Sequence, residues 1–168
     1  MAAQEPLMNP ARRPWSVALS EPESWISIAK WGAITGVGYF AFANLMNMLV
    51  NVLTGGQGNL TENLVFAIPA CGGIFALVFA LYTSGYLAAK ERTHVAPGVL
   101  STVFMLALAQ VLGRIFTVQV QGAKPATTST LGTAIVSLIL ALAFGLGIGY
   151  MGAFYGVKNK LKAVAKVR

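Results

Sequence analysis

Four long apolar stretches separated by short polar ones make up most of this chain, at about 28–53, 64–89, 97–118 and 131–157. Each is long enough to cross a hydrocarbon core of about 30 Å, which takes about 20 helical residues. The last stretch, from Leu131 to Gly156, carries glycines at Gly145, Gly149, Gly152 and Gly156. Their steps of four, three and four stack them on one face of a helix. Glycine weakens a soluble helix by roughly 1 kcal/mol, but in lipid a small-residue face lets another backbone approach and gain dispersion contacts. A second ridge of this kind, Gly72, Ala76, Ala80, Ser84 and Ala88, repeats every four residues in the second stretch. The expected fold is therefore all-α, an integral membrane four-helix bundle over residues 20–157 in which the second and fourth spans pack through these ridges.

The segments between the spans set its boundaries. Residues 1–19 are polar and broken by Pro6, Pro10 and Pro14, so they read as an extended arm. Arg12 and Arg13 resemble a twin-arginine export signal, but no apolar core follows them directly. Trp31 to Phe40 with Ala41-Phe42-Ala43 has the form of a signal peptide and its cleavage site, yet the apolar run continues to Leu53 and makes a better anchor. Ser20 and Glu23 form a capping-box pattern for a first helix ending near Thr54-Gly55-Gly56. Such a helix, about 50 Å long, outreaches the hydrocarbon and leaves Trp25, Lys30 and Trp31 at the interface. Pro69 predicts a kink in the second span, and Thr and Ser residues before Leu131 are available to cap the fourth. In residues 158–168, Lys158, Lys162 and Lys166 share one face and Val157, Leu161, Val164 and Val167 lie roughly opposite, a short basic amphipathic tail.

Composition supports the membrane reading. The chain of 168 residues is 56% hydrophobic, only 10% charged and free of Asp, whereas a soluble domain carries about 25% charged residues. The net charge of +7 is gathered in a few segments and lacks the polar and aromatic readers of a nucleic-acid surface, so no nucleic-acid partner is expected. Arg12, Arg13, Lys30, Lys90, Arg92 and the tail cations fall on one side of a four-span topology, against Lys124 and Arg114 on the other. The positive-inside rule then places both termini in the cytoplasm, in a plasma (inner) membrane of bacterial type. Anionic lipid headgroups at the tail, and other membrane subunits or a second copy, are the expected partners. Cys71, the lone cysteine, reads as a small buried hydrophobe, and His94, in a charged turn, as a solvated or headgroup-level side chain. Asn59 lies in a glycosylation sequon. A likeness between Ala76-Leu77-Val78-Phe79 with Gly85-Tyr86 and Ala141-Leu142-Ala143-Phe144 with Gly149-Tyr150 fits a duplicated hairpin or chance.

Chemistry has few places to reside. Asn44, Asn47 and Asn51 form a stripe on the first span, and Gln110 and Arg114 lie four apart on the third. Rise per residue puts Asn44 level with Gln110 and Asn47 nearly level with Arg114, so the faces are expected to meet in a polar layer. The layer serves either helix pairing through hydrogen bonds or the binding of an anion or headgroup at Arg114. No span contains Asp, Glu or His, which leaves no general base, proton relay, metal centre or haem ligand inside the membrane. The Gly-rich run GLGIG lies mid-helix without a preceding strand and is no dinucleotide fingerprint. The chain is therefore expected to be no enzyme and to hold no cofactor. The leading expectation is an accessory, assembly or stabilising subunit of a larger membrane complex, and the alternative is a small oligomeric transporter or channel using the polar layer.

Overall fold

A computed structural model describes residues 14–54, 64–119 and 131–167, with side chains for 14–49, 52, 71–116 and 142–166. Almost all of the described backbone is helical, in α1 (Trp15–Ser20), α2 (Pro22–Thr54), α3 (Leu64–Arg92), α4 (Val95–Gln119) and α5 (Leu131–Val167). Stretches 22–49, 71–92 and 95–116 are long and apolar enough to cross a membrane. These support a helical membrane protein.

The first turns differ from the sequence expectation. Trp15–Ser20, read as part of an extended arm, is a short helix that starts directly after Pro14. Ser20 does not cap α2. Its hydroxyl donates to the Val17 carbonyl at 2.8 Å, and Glu21 takes an extended conformation before α2 begins at Pro22. A proline in the first helical position loses nothing there, because its missing N–H would have had no partner within the helix. The expected tail is likewise the uninterrupted continuation of α5 through Val167, and α3 runs through Pro69 without a break.

α3 and α4 form the centre, with α5 packed on one side and α2 on the other. The α3–α4 turn is tight. Thr93 ends α3 in the left-handed region at φ 59°, a costly conformation for a β-branched residue, and reverses the chain within two residues. His94 is then buried rather than solvated, and its Nδ1 accepts from the Ala96 backbone N–H at 3.0 Å. That is the geometry of a helix N-cap, satisfying one donor that the first turn of α4 leaves open. Cys71 also departs from expectation, since it lies exposed on the outer face of α3.

Backbone contact holds the central helices together. A Cβ added at Gly152 would fall on the Tyr82 carbonyl oxygen, one at Gly156 on the Tyr86 carbonyl oxygen, and one at Gly85 on the Gly149 carbonyl oxygen. The α5 glycine face is thus divided between two helices, Gly152 and Gly156 receiving α3 and Gly145 and Gly149 lying against Leu106 and Thr102 of α4. On α3, however, the face that fits it is Tyr82, Gly85, Tyr86 and Ala89, and not the ridge of Gly72, Ala76, Ala80, Ser84 and Ala88. Ser84 points instead to α4 and shares a buried 2.7 Å hydrogen bond with Ser101. Gly98 of α4 closes the junction, since a Cβ there would lie 2.5 Å from the Gly85 carbonyl oxygen and 2.6 Å from the Ala153 Cβ. Gly32 and Gly36 form a further small-residue pair that lets α2 reach the α4 backbone beside Ser101 and Met105.

Candidate functional site

Among the described residues, the ion pairs gather at the end where α2 and α4 begin and α3 finishes. Arg92 spans Glu21 at 2.6 Å and Glu23 at 2.5 Å, tying the start of α2 to the end of α3. Beside it, the Glu91 carboxylate accepts from Lys30 at 2.9 Å, from Ser27 at 3.2 Å and from the Trp31 indole N–H. Lys160 of α5 donates to the Glu91 backbone carbonyl at 2.7 Å and brings the fourth long helix into the same cluster. The network ties helices together: Arg92 of α3 pairs with Glu21 and Glu23 at the start of α2, and Glu91 of α3 pairs with Lys30 of α2. Residue pattern alone does not reveal it, since Glu23 reads there as part of a capping box and Lys30 and Trp31 as interfacial residues. The clue was available in the acidic residues, since Glu21, Glu23 and Glu91 all lie at the cation-rich end.

The proposed polar layer is only partly assembled. Asn44 and Asn47 line a cavity of about 260 Å³ between α2 and α4, together with Tyr39, Phe40, Gly113 and Phe116. Asn44 donates its amide N–H to the Phe40 carbonyl of its own helix at 2.8 Å, leaving its side-chain oxygen as an acceptor. Ala109 and Gly113 are the α4 residues that face these asparagines. Gln110 and Arg114 follow each by one position, about 100° around the helix, and both are exposed on the outside of the bundle. The side chain of Asn51 lies outside the described residues, as do Asn59, Arg12, Arg13, Lys124 and Arg168.

A larger feature opens mid-span between α2 and α3. It is an apolar groove of about 590 Å³ floored by Gly38, Gly72, Ala76 and Ala80 and rimmed by aromatic residues that include Phe42, Phe75 and Phe79. A Cβ built at Gly38, Gly72 or Gly73 would meet nothing within 4 Å. The upper half of the α3 small-residue ridge, Gly72 to Ala80, therefore lies along this opening, while its lower half, Ser84 and Ala88, is fully buried. Apart from Thr35 and Tyr39 on α2 and Thr83 on α3 the groove's lining is apolar, and the Thr35 hydroxyl is bonded to the Trp31 carbonyl at 2.6 Å. The groove is consequently hydrocarbon in character.

On α5, Lys158, Lys162 and Lys166 are exposed, with Lys158 placed over the Tyr155 ring at 5.9 Å. Among the described residues, no three His, Cys, Asp or Glu side chains cluster closely enough to hold a metal ion. Comparison with family models, with curated proteins and with solved structures finds no match for this chain.

Proposed function

We propose that this chain is a four-span membrane protein with both ends on the cytoplasmic side, acting as a non-enzymatic accessory or assembly subunit that docks a helix of a larger membrane complex. Several observations support the placement. α5 has 37 residues and, at about 1.5 Å each, reaches about 55 Å, ample for a fourth crossing. Lys30, Lys90, Arg92 and Lys160 gather at one end of the bundle, and the positive-inside rule assigns such an end to the cytoplasm.

The observation that carries the subunit reading is the contrast between two sets of glycines. Gly32, Gly85, Gly98, Gly149, Gly152 and Gly156 all meet a neighbouring helix of the same chain, whereas a Cβ at Gly38 or Gly72, which face one another's helix across the groove, would meet nothing within 4 Å, as would one at Gly73, Gly113 or Gly147 outside it. Helices in lipid associate where small residues let backbones close together. The α2–α3 groove has that composition, a lining that is apolar except at Thr35, Tyr39 and Thr83, and exposed phenylalanines at its rim, which favours an apolar helix of another subunit over a polar solute. The test is photocross-linking in native membranes from a reactive residue at position 79, with position 144 on α5 as an equally exposed control. A heteromeric product of one mass from position 79, abolished by Ala76→Leu, supports docking. Identical products from both positions, or self-cross-links alone, overturn it.

The transporter or channel reading retains one observation in its favour, the polar cavity of Asn44 and Asn47. It requires that proteoliposomes move a solute and that Asn47→Leu abolish the movement.

A further inference from the structure

The last turns of α5 present a separate problem of charge. Phe154, Val157, Leu161 and Ala165 follow one another at helical spacing and, with Val95 of α4, form a second apolar groove of about 470 Å³. Lys158 and Lys162 stand along its edge. The carboxylates described at this end are committed elsewhere, Glu21 and Glu23 to Arg92 and Glu91 to Lys30. Among the described residues, neither Lys158 nor Lys162 has a carboxylate within salt-bridge distance. Two cations beside a hydrocarbon surface, with no counterion among the described residues, suit an anion that brings its own hydrocarbon.

We propose that this groove is a binding site for one anionic phospholipid, its phosphate held between Lys158 and Lys162 and an acyl chain laid against the exposed side chains of Leu161 and Phe154. Depth agrees with the assignment. Lys158 and Lys162 lie about 1.5 Å and about 7.5 Å along the helix past Val157, where the apolar run ends, and headgroups lie just beyond the hydrocarbon core. The cationic end of the chain's own arm, with Arg12 and Arg13, and the tail of a second copy would each bring positive charge to positive charge. The inference rests on the four-span placement proposed above and not on the subunit reading.

Native mass spectrometry of the full chain in mild detergent, titrated with phosphatidylglycerol or with phosphatidylcholine of the same acyl chains, tests it. Phosphatidylglycerol is expected to be retained as a single copy, at least tenfold more tightly than phosphatidylcholine. The double variant Lys158→Gln/Lys162→Gln should lose about thirtyfold in phosphatidylglycerol affinity, from about 1 kcal/mol per cation at 1.4 kcal/mol per tenfold. Its affinity for phosphatidylcholine should not change. A charge-matched variant, Lys90→Gln/Lys166→Gln, should keep the preference, and Leu161→Asn should weaken both lipids. Equal binding of the two lipids, equal loss in both double variants, or displacement of the lipid by inorganic phosphate alone would overturn the proposal. Carbonate extraction reads membrane insertion independently, so a failed lipid site and a failed placement give different results.

Discussion

At Gly152 a Cβ would fall on a backbone oxygen of the neighbouring helix, whereas at Gly147, less than two turns away on the same helix, it would meet nothing within 4 Å. The first contact involves main chain and cannot be relieved by turning a side chain. Gly152→Ala is therefore expected to destabilise the bundle by about 1–3 kcal/mol, the usual range for overpacking. Gly147→Ala should be neutral or stabilising by up to about 1 kcal/mol through helix propensity. Reversible unfolding in mixed micelles distinguishes them, and equal effects would contradict the packing described. Ser84 and Ser101 make a similar pair-specific case: removing either hydroxyl leaves the other buried without its partner, so each single alanine should cost about 0.6–2 kcal/mol. The double variant should cost less than the sum of the two. How far the sequence reveals such positions depends on what they touch. The α5 glycines are legible because their own spacing forms a face. Their partner surface on α3 is not, because Tyr82 and Tyr86 contribute carbonyl oxygens and not small side chains. Gly32 and Gly36 carried a readable G-x-x-x-G signal that the long first span obscured, and His94 was misread because nothing in its neighbours reveals that Thr93 turns it inward.

Between elements, charge and packing hold α2 in different ways along its length. At its start, Arg92 grips Glu21 and Glu23, but those carboxylates are 51% and 71% exposed, so each pair is worth about 0–1 kcal/mol and is screened by salt. Arg92→Gln should accordingly lower the thermal midpoint by only a few degrees at low salt, and the difference from the unaltered chain should shrink as salt rises to about 1 M. A salt-independent loss would mean that Arg92 acts by packing. Further along, Gly32 and Gly36 fasten α2 to α4, while its contact with α3 gives way to the mid-span groove. The partial assembly of the polar layer belongs to this scale as well. Rise per residue addresses only the depth of Asn47 and Arg114, and depth says nothing about azimuth. The rotation of α4 is decided by burying Ser101, Thr102 and Met105, and this directs Ala109 and Gly113 toward the asparagines.

For the whole molecule, the glycine contacts and the ionic cluster lie mainly toward the charged end, while α2 and α3 separate mid-span around a surface built for close approach. The all-helical membrane character follows from apolar stretches that are plain in the sequence. A groove is not plain there, because the same small residues serve internal packing at Ser84 and Ala88 and stand open at Gly72 and Ala76. A helix of another subunit occupying this open surface should stay with the chain on extraction. Native mass spectrometry of the protein extracted from its own membranes in a mild detergent tests it most directly. The expected result is a complex of fixed stoichiometry with a different membrane protein, lost in Ala76→Leu while the chain itself stays folded. A homo-oligomer without other subunits, unchanged by that substitution, would contradict it.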